Sequence, residues 1–313
     1  MTSSMPIRRS VAHPTHPSHQ LPPHPTSRPA RPAVHGCGHA DTGSTRAAVV
    51  TQVRALHEAL AACTDLAPGP RTDDLFGRLV ALAVDPSAAR DADAVLADPA
   101  VRTLLPELRQ LCAAGEFELE RHWARRVVAA PDPAAELARF PYHQNYVDLT
   151  RLEHHAVSGL VGDQVGRVLF VGSGPLPLTS LLLAERYGCE VDNLDRVPEA
   201  VALADTLASA LGRTGLRFDL GDVVDHEDLA GYDLVYLAAL AGLDPDAKLA
   251  LLEHLARCLT PGTLVLARSA HSLRGLLYPV LDPHDLPGMD TLSVVHPFTD
   301  VVNSVVVARV RRG

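Results

Sequence analysis

Three groups of residues in this chain have types and spacings that could do chemistry. The first is Gly172-Ser173-Gly174, which follows the apolar run VLFV and leads into PLPLTSLLLA. Glycine permits backbone torsions and a close approach that a side chain forbids. A glycine pair at the end of an apolar strand therefore reads as the place where a nucleotide-like ligand meets a sheet. The next strand-like run, EVDNLD, ends about twenty residues on at Asp195, where a carboxylate suits the two hydroxyls of a ribose. The run after that is followed by Gly221-Asp222, and Asp222 can accept a hydrogen bond from the exocyclic amine of adenine. No complete GxGxxG is present, and Pro175 lacks an N–H where a pyrophosphate would need donors. The loop fits an amino acid zwitterion and a sulfonium better than a phosphate, so S-adenosylmethionine is the expected ligand. Its expected contacts are Gly172, Ser173, Gly174, Asp195, Asp222 and Val223, with Leu237 and Ala238 beside the methionine arm at the end of the fourth strand.

The second group lies in LCAAGEFELERHW, Leu111 to Trp123. Glu116 and Glu120 stand one helical turn apart on one face, and Glu118 points elsewhere. A sulfonium offers three carbons to a nucleophile, and holding the nucleophile in line with one of them selects the product. An amine nucleophile is mostly protonated at neutral pH, so a base must take its proton. Glu120 is expected at the surface or behind the reacting groups. The third group, Arg268, His271 and Arg274, is expected after the fifth strand, where these side chains could pair with substrate carboxylates. His296 and Asn303 are read as holding the closing hairpin. His122 and Glu153-His154-His155 form no convincing ligand set, and no structural metal is expected.

The elements that must position these residues change character near Phe140-Pro141. Before that point the pattern is helical: Val49, Val53, Leu56 and Leu60 recur at three- and four-residue spacing, and Leu75 to Leu82 gives a second apolar face. A long helix is expected from Pro99 to about Ala129, with Pro106 near its start, where proline is better tolerated. After Pro141, strand-like runs at 167–171, 190–194, 216–219, 233–237 and 263–268 alternate with helix-like segments at 178–187, 198–211 and 245–259. Such alternation predicts a doubly wound, Rossmann-like α/β sheet. Two further runs, 291–295 and 301–307, have no helix between them and predict an antiparallel addition at one edge, as in class I methyltransferase-like sheets. The expected organisation is a Pro/His-rich disordered tail over 1–45, a helical cap over 46–140 and a sheet domain over 141–313.

Composition narrows the function. The 313 residues are 47% hydrophobic, only 4% aromatic, and carry a net charge of −9. An acidic chain poor in aromatics is ill suited to nucleic acid or an anionic membrane surface, and no apolar run approaches the ~20 residues of a membrane span. The five cysteines are scattered with no CxxC pair, which suggests reduced thiols in a cytoplasmic protein. Small-molecule substrates are the expected partners. A homodimer is compatible with the sequence, which does not set the oligomeric state.

Several long segments also resemble nicotianamine synthases: GSGPLPLTSLLLA, FPYHQNYVDLTRLEH (Phe140 to His154), YDLVYLAALAGLD, RSAHSLRGLLYPVLDP and HPFTDVVNSVVVAR. The resemblance runs from about residue 105 to the C-terminus. It implies an enzyme that transfers the 3-amino-3-carboxypropyl arm of S-adenosylmethionine to an amine and releases methylthioadenosine. It implies Glu116 as the catalytic glutamate and Tyr142 as its partner tyrosine, with Tyr142, Asn145, Arg268 and His271 toward the substrate. Plant members use three donors to make nicotianamine, a metal chelator, so metal is held by the product and not the protein. Smaller bacterial relatives make one transfer to histidine for metallophores, which is the alternative reading. This chain departs from the plant pattern at His143, where those members carry a second tyrosine, and around Asn193-Leu194-Asp195-Arg196. The departures bear on acceptor and repeat transfer, not on the class of chemistry.

Overall fold

The computed structural model describes residues 42–162 and 165–312. Residues 1–41 of the expected tail, with its histidines and Cys37, lie outside these residues, whereas 42–45 are helical and not tail. The first helices are α1 (Thr42–Ala61), α2 (Pro70–Val84) and the short α3 (Ala92–Leu96). Val53, Leu56 and Leu60 of α1 and Leu75, Leu79 and Leu82 of α2 are buried in one shared core, as their spacing requires.

Helix α4 (Pro99–Val128) follows, started by Asp98, whose side chain accepts from Ala100 N, and by Pro99 in the first turn. It runs unbroken through Pro106, eight residues in, so the proline is carried inside the helix. Its buried face is one continuous stripe: Val101, Leu108, Cys112, Gly115, Glu120, Trp123, Ala124 and Val127. A glutamate in the middle of an apolar stripe is what packing alone would avoid. Gly115 is in the helix because a Cβ there would lie 2.2 Å from the Phe76 ring of α2.

The short α5 (Pro133–Leu137) leads to α6 (His143–Val161), which the sequence did not reveal. The sheet comprises β1 (Arg167–Val171), β2 (Glu190–Asp195), β3 (Leu216–Leu220), β4 (Leu234–Leu237), β5 (Leu264–Ser269), β6 (Met289–Val295) and β7 (Ser304–Val310). Its order is β3-β2-β1-β4-β5-β7-β6. The first five strands are parallel, and β7 is antiparallel to both β5 and β6. The crossover helices are α7 (Leu178–Tyr187), α8 (Pro198–Ala210) and α9 (Pro245–Cys258). This is the doubly wound sheet of class I methyltransferase type.

Strand alternation sorts the core into two layers. Leu169, Val171, Val235, Leu237, Val265 and Ala267 face α9, packing with Leu252 and Leu255. Val168, Phe170, Leu234, Tyr236, Leu264 and Leu266 face the other side, with Leu149 and Val157 of α6. Both faces are covered, as parallel sheets require. The N-terminal helices dock on this unit at two places. The turn Ser272–Leu276 after β5 contributes Leu273 and Leu276 to the core of α1, α2 and α4, and Arg109 of α4 donates to Gly275 O at 2.7 and 3.1 Å. Further along α4, Trp123, Ala124 and Val127 share a core with Leu181 of α7 and Leu207 of α8. All described residues belong to a single compact unit.

Candidate active site

The helices close over the carboxyl ends of β1, β2 and β4, where ligands bind in open α/β sheets. They enclose a cavity of about 1170 Å³. One end is built by the sheet loops. Gly172 and Gly174 both take positive φ, 82° and 69°, so the chain can turn sharply at the tip of β1. Gly174 N donates to Asp195 Oδ2 at 2.8 Å, and Val197 N donates to Asp195 Oδ1 at 2.9 Å. Asp195 is thereby fixed at the end of β2 beside the glycine loop. Asp222 caps the short turn Val223–Asp225 by accepting from Val224 N, and it faces Arg196 at 3.5 Å. Gly172, Ser173, Gly174, Asp195, Asp222, Val223 and Ala238 all line the cavity.

The other end is built by helices. Thr72 and Phe76 of α2, Cys112, Glu116 and Glu120 of α4, and Asn145 and Tyr146 of α6 line it, together with Tyr142 and Tyr278. Glu116 Oε2 accepts from the Tyr278 hydroxyl at 2.8 Å, and Glu120 Oε1 accepts from the Tyr146 hydroxyl at 2.9 Å. Burial raises the pKa of Glu116, while Tyr278 and the more distant Arg268 charge oppose the shift. Burial raises Glu120 further, and the negative charge of Glu116 adds to it. Two desolvated carboxylates in one chamber disfavour double ionisation, so the pair retains a proton more readily than ordinary glutamates. Burial also pushes up Tyr146 and Tyr278, which keeps both phenols as donors. Burial drives the Cys112 thiol up to about 12, so it stays protonated and unreactive.

The structure brings Glu116 and Tyr142 into the same chamber as the glycine loop and Asp195. Asn145 also lines it, although its Nδ2 is engaged by Asp300 O at 2.7 Å. Four expectations need correction. Glu120 is not a surface group: it is 8% exposed and lies against the glycine loop. Leu237 does not reach the cavity, because strand alternation turns it into the core facing α9. His271 lies outside the cavity lining; its Nδ1 bonds Ser304 Oγ at 2.9 Å, and burial with the nearby Arg274 charge lowers its pKa to about 4. Arg268 belongs to β5 itself rather than to the loop after it, and its charge is already matched. Its Nε and Nη2 donate to Glu153 at 2.6 and 3.0 Å, and Nη2 also donates to Thr179 Oγ1 at 2.7 Å.

Tyr146, Thr179 and Tyr278 were not singled out from sequence, and Glu153 was weighed there only as part of a metal-ligand set. Tyr278 carried the clearest signal, a hydroxyl inside the apolar stretch GLLYPV. Among the described residues no group of three or more His, Cys, Asp or Glu side chains is gathered to hold a metal ion. No described helix is long and apolar enough to cross a membrane.

Comparison with known proteins agrees with this geometry. The family described as "Nicotianamine synthase protein" matches residues 42–312. Nicotianamine synthase 9 of Hordeum vulgare is 39% identical over 284 residues, covering 88% of this chain and 83% of its own. Nicotianamine synthase 1 of Oryza sativa subsp. indica is 39% identical over 273 residues, covering 84% and 81%. Among solved structures, MtNAS in complex with MTA and tNA superposes with a TM-score of 0.74 at 23% identity, covering 88% of this chain and all of that one. A glutamate-to-glutamine mutant of MtNAS in complex with S-adenosylmethionine gives 0.73 at 23% identity, covering 84% and 98%. At that identity the structures speak for the fold; the sequence match speaks for the family. The chain belongs to the nicotianamine synthase family.

Proposed function

We propose that this protein is a nicotianamine synthase, an aminocarboxypropyl transferase that uses S-adenosylmethionine as its donor. The observation that carries the reading is the placement of Glu116 and Glu120, a half-buried and a buried acid one turn apart on α4, in one cavity with the glycine loop of a family member. The adenosyl group is assigned to the sheet end of the cavity. There Asp195 takes the ribose hydroxyls and Asp222 the adenine amine. The sulfonium and amino groups of the substrates are cations, and the carboxylate-rich chamber favours them.

In the reacting step the amine lone pair attacks the γ-carbon of the donor arm. The C–N bond forms as the C–S bond breaks, and methylthioadenosine leaves as a neutral thioether. The amine loses one proton, which Glu116 accepts. A carboxylate held by one phenol, with its pKa raised by burial, is better matched to that proton than a solvated one. Tyr278 orients Glu116 through its hydroxyl, and Tyr146 does the same for Glu120. Tyr142 lines the same chamber, where its ring packs edge-on against Phe140, and is assigned to positioning the amine. The Arg268–Glu153–Thr179 network is buried in the wall of the site and holds β5, α6 and α7 together.

Three donors give nicotianamine, with one step closing an azetidine ring. The family match supports nicotianamine over a single transfer to histidine. Metal binding then belongs to the released chelator, and its use is metal handling. The described cysteines, Cys63, Cys112, Cys189 and Cys258, are all free thiols, which supports a reducing, cytoplasmic setting. The test is incubation of purified protein with S-adenosylmethionine alone, followed by mass analysis. Methylthioadenosine with nicotianamine is the expected outcome. S-adenosylhomocysteine as the by-product would overturn the reading, and a product formed only when histidine is added would favour the single-transfer enzyme.

A further inference from the structure

Asn303 lies immediately before β7, at the carboxyl end of the parallel strands, and lines the cavity. Its side chain is nine-tenths buried, at 8% exposure. Its Nδ2 is without a hydrogen-bond partner among the described residues. Folded proteins satisfy nearly all such buried donors, so an orphan in a substrate cavity calls for a partner that the folded chain does not itself supply. Five other buried polar side-chain atoms share this condition: those of Thr150, Arg213, Tyr236, Ser272 and Arg274. None of those five residues lines the cavity.

The loop that carries Asn303 is anchored on both sides. Arg274 Nη2 donates to Thr299 O at 2.8 Å, and Asn145 Nδ2 donates to Asp300 O at 2.7 Å. On the other side, Ser304 Oγ lies 2.9 Å from both His271 Nδ1 and His296 Nδ1. The backbone that carries the amide is therefore held on both sides. Glu116, Glu120 and Asp195 bring three carboxylates to the chamber. The chain transferred in the proposed reaction needs both kinds of partner. Its amine and sulfonium suit the carboxylates, and its α-carboxylate needs a donor. Arg268 lines the same cavity, but its Nε and Nη2 are committed to Glu153 and Thr179 and its charge is matched, whereas Asn303 Nδ2 has no partner among the described residues.

We infer that Asn303 is a substrate-binding residue whose Nδ2 donates to the α-carboxylate of an aminocarboxypropyl chain. The inference rests on the proposed function. The carboxylate is either the one on the sulfonium donor or one already transferred to the acceptor, and binding separates the two. Dissociation constants are to be measured for wild type, Asn303→Ala and the same-shaped Asn303→Asp. The ligands are methylthioadenosine, decarboxylated S-adenosylmethionine, S-adenosylmethionine and nicotianamine. A hydrogen bond to a charged group is lost, so Asn303→Ala is expected to weaken a carboxylate-bearing ligand about ten- to a hundredfold. Asn303→Asp should weaken it further by like-charge repulsion. Methylthioadenosine and the decarboxylated donor should stay within about twofold of wild type, being spared that contact. Loss confined to S-adenosylmethionine assigns the donor carboxylate, and loss confined to nicotianamine assigns the acceptor's. Unchanged binding of both, or an equal loss for methylthioadenosine in both variants, overturns the inference. Wild-type protein that binds neither adenosyl ligand would instead sink the functional reading, and this one with it.

Discussion

Glu120 occupies the space that a side chain at residue 174 would need: a Cβ on Gly174 would lie 2.5 Å from Glu120 Oε2. The glycine loop of β1 and the acidic face of α4 are thus fitted to each other directly. Gly174 serves three purposes at once. It takes φ of 69°, presents its N–H to Asp195, and makes room for a carboxylate from the helical layer.

Gly174→Ala should therefore fail on two counts. A non-glycine residue in the left-handed region costs about 1–3 kcal/mol. The new methyl also displaces Glu120 into the ligand space. The expected outcome is a lowered melting temperature together with loss of S-adenosylmethionine binding by calorimetry. Retained binding would show that the loop and α4 are not coupled.

Glu120→Gln should stabilise the protein near neutral pH. The folded-state pKa of Glu120 lies above the unfolded value of 4.5, so the folded state binds the extra proton. Stability is then lost as pH rises through the window above 4.5. Glutamine keeps an acceptor for Tyr146 and has no charge to desolvate. A melting point higher by at least about 2 °C at pH 7, the response of a domain this size to about 1 kcal/mol, is expected. The difference should vanish below pH 4.5.

His271 titrates in the opposite sense. Its folded pKa of about 4 lies below the unfolded 6.5. The stability it contributes is present above 6.5 and is lost as pH falls toward 4. Urea midpoints of wild type should drop between pH 7 and pH 5, and His271→Asn should flatten that drop. An equally steep loss in the variant would assign the acid sensitivity elsewhere.

The buried Arg268–Glu153 pair should behave non-additively. Side-chain exposures are 7% and 0%, so removing either partner strands a charge. Glu153→Leu or Arg268→Met alone should each cost about 3–5 kcal/mol. The double variant, with both charges gone, should cost far less than the sum. Denaturant unfolding of the three proteins measures this.

The parallel strands and crossover helices were legible because their burial is written in composition, whereas the last strand, expected at 301–307, is Ser304–Val310. β1 and α7 fall at the bounds that the apolar runs indicate, and β2, β4, β5, α8 and α9 differ by a residue or so at one or both ends. Helix α6 was not legible. Its buried positions include Thr150 and Glu153, so its inward face does not read as apolar. The same cause hid the supports of the site. Tyr278 is 162 residues from Glu116, Tyr146 is 26 from Glu120, and Arg268 is 115 from Glu153. No local period marks such pairs, because only the packing of helices on the sheet unit brings them together. Leu237 misled for the opposite reason. It ends a strand at the right height for the cofactor, but the two-residue alternation of the strand turns it away.

The central claim is that Glu116 accepts the proton of the attacking amine, and Glu116→Gln tests it most directly. S-adenosylmethionine binding and methylthioadenosine release are to be measured side by side on wild type and variant. Binding within a few-fold of wild type, with release lowered at least about 10²-fold, is the predicted result. Methylthioadenosine released at the wild-type rate by the glutamine variant would contradict the account.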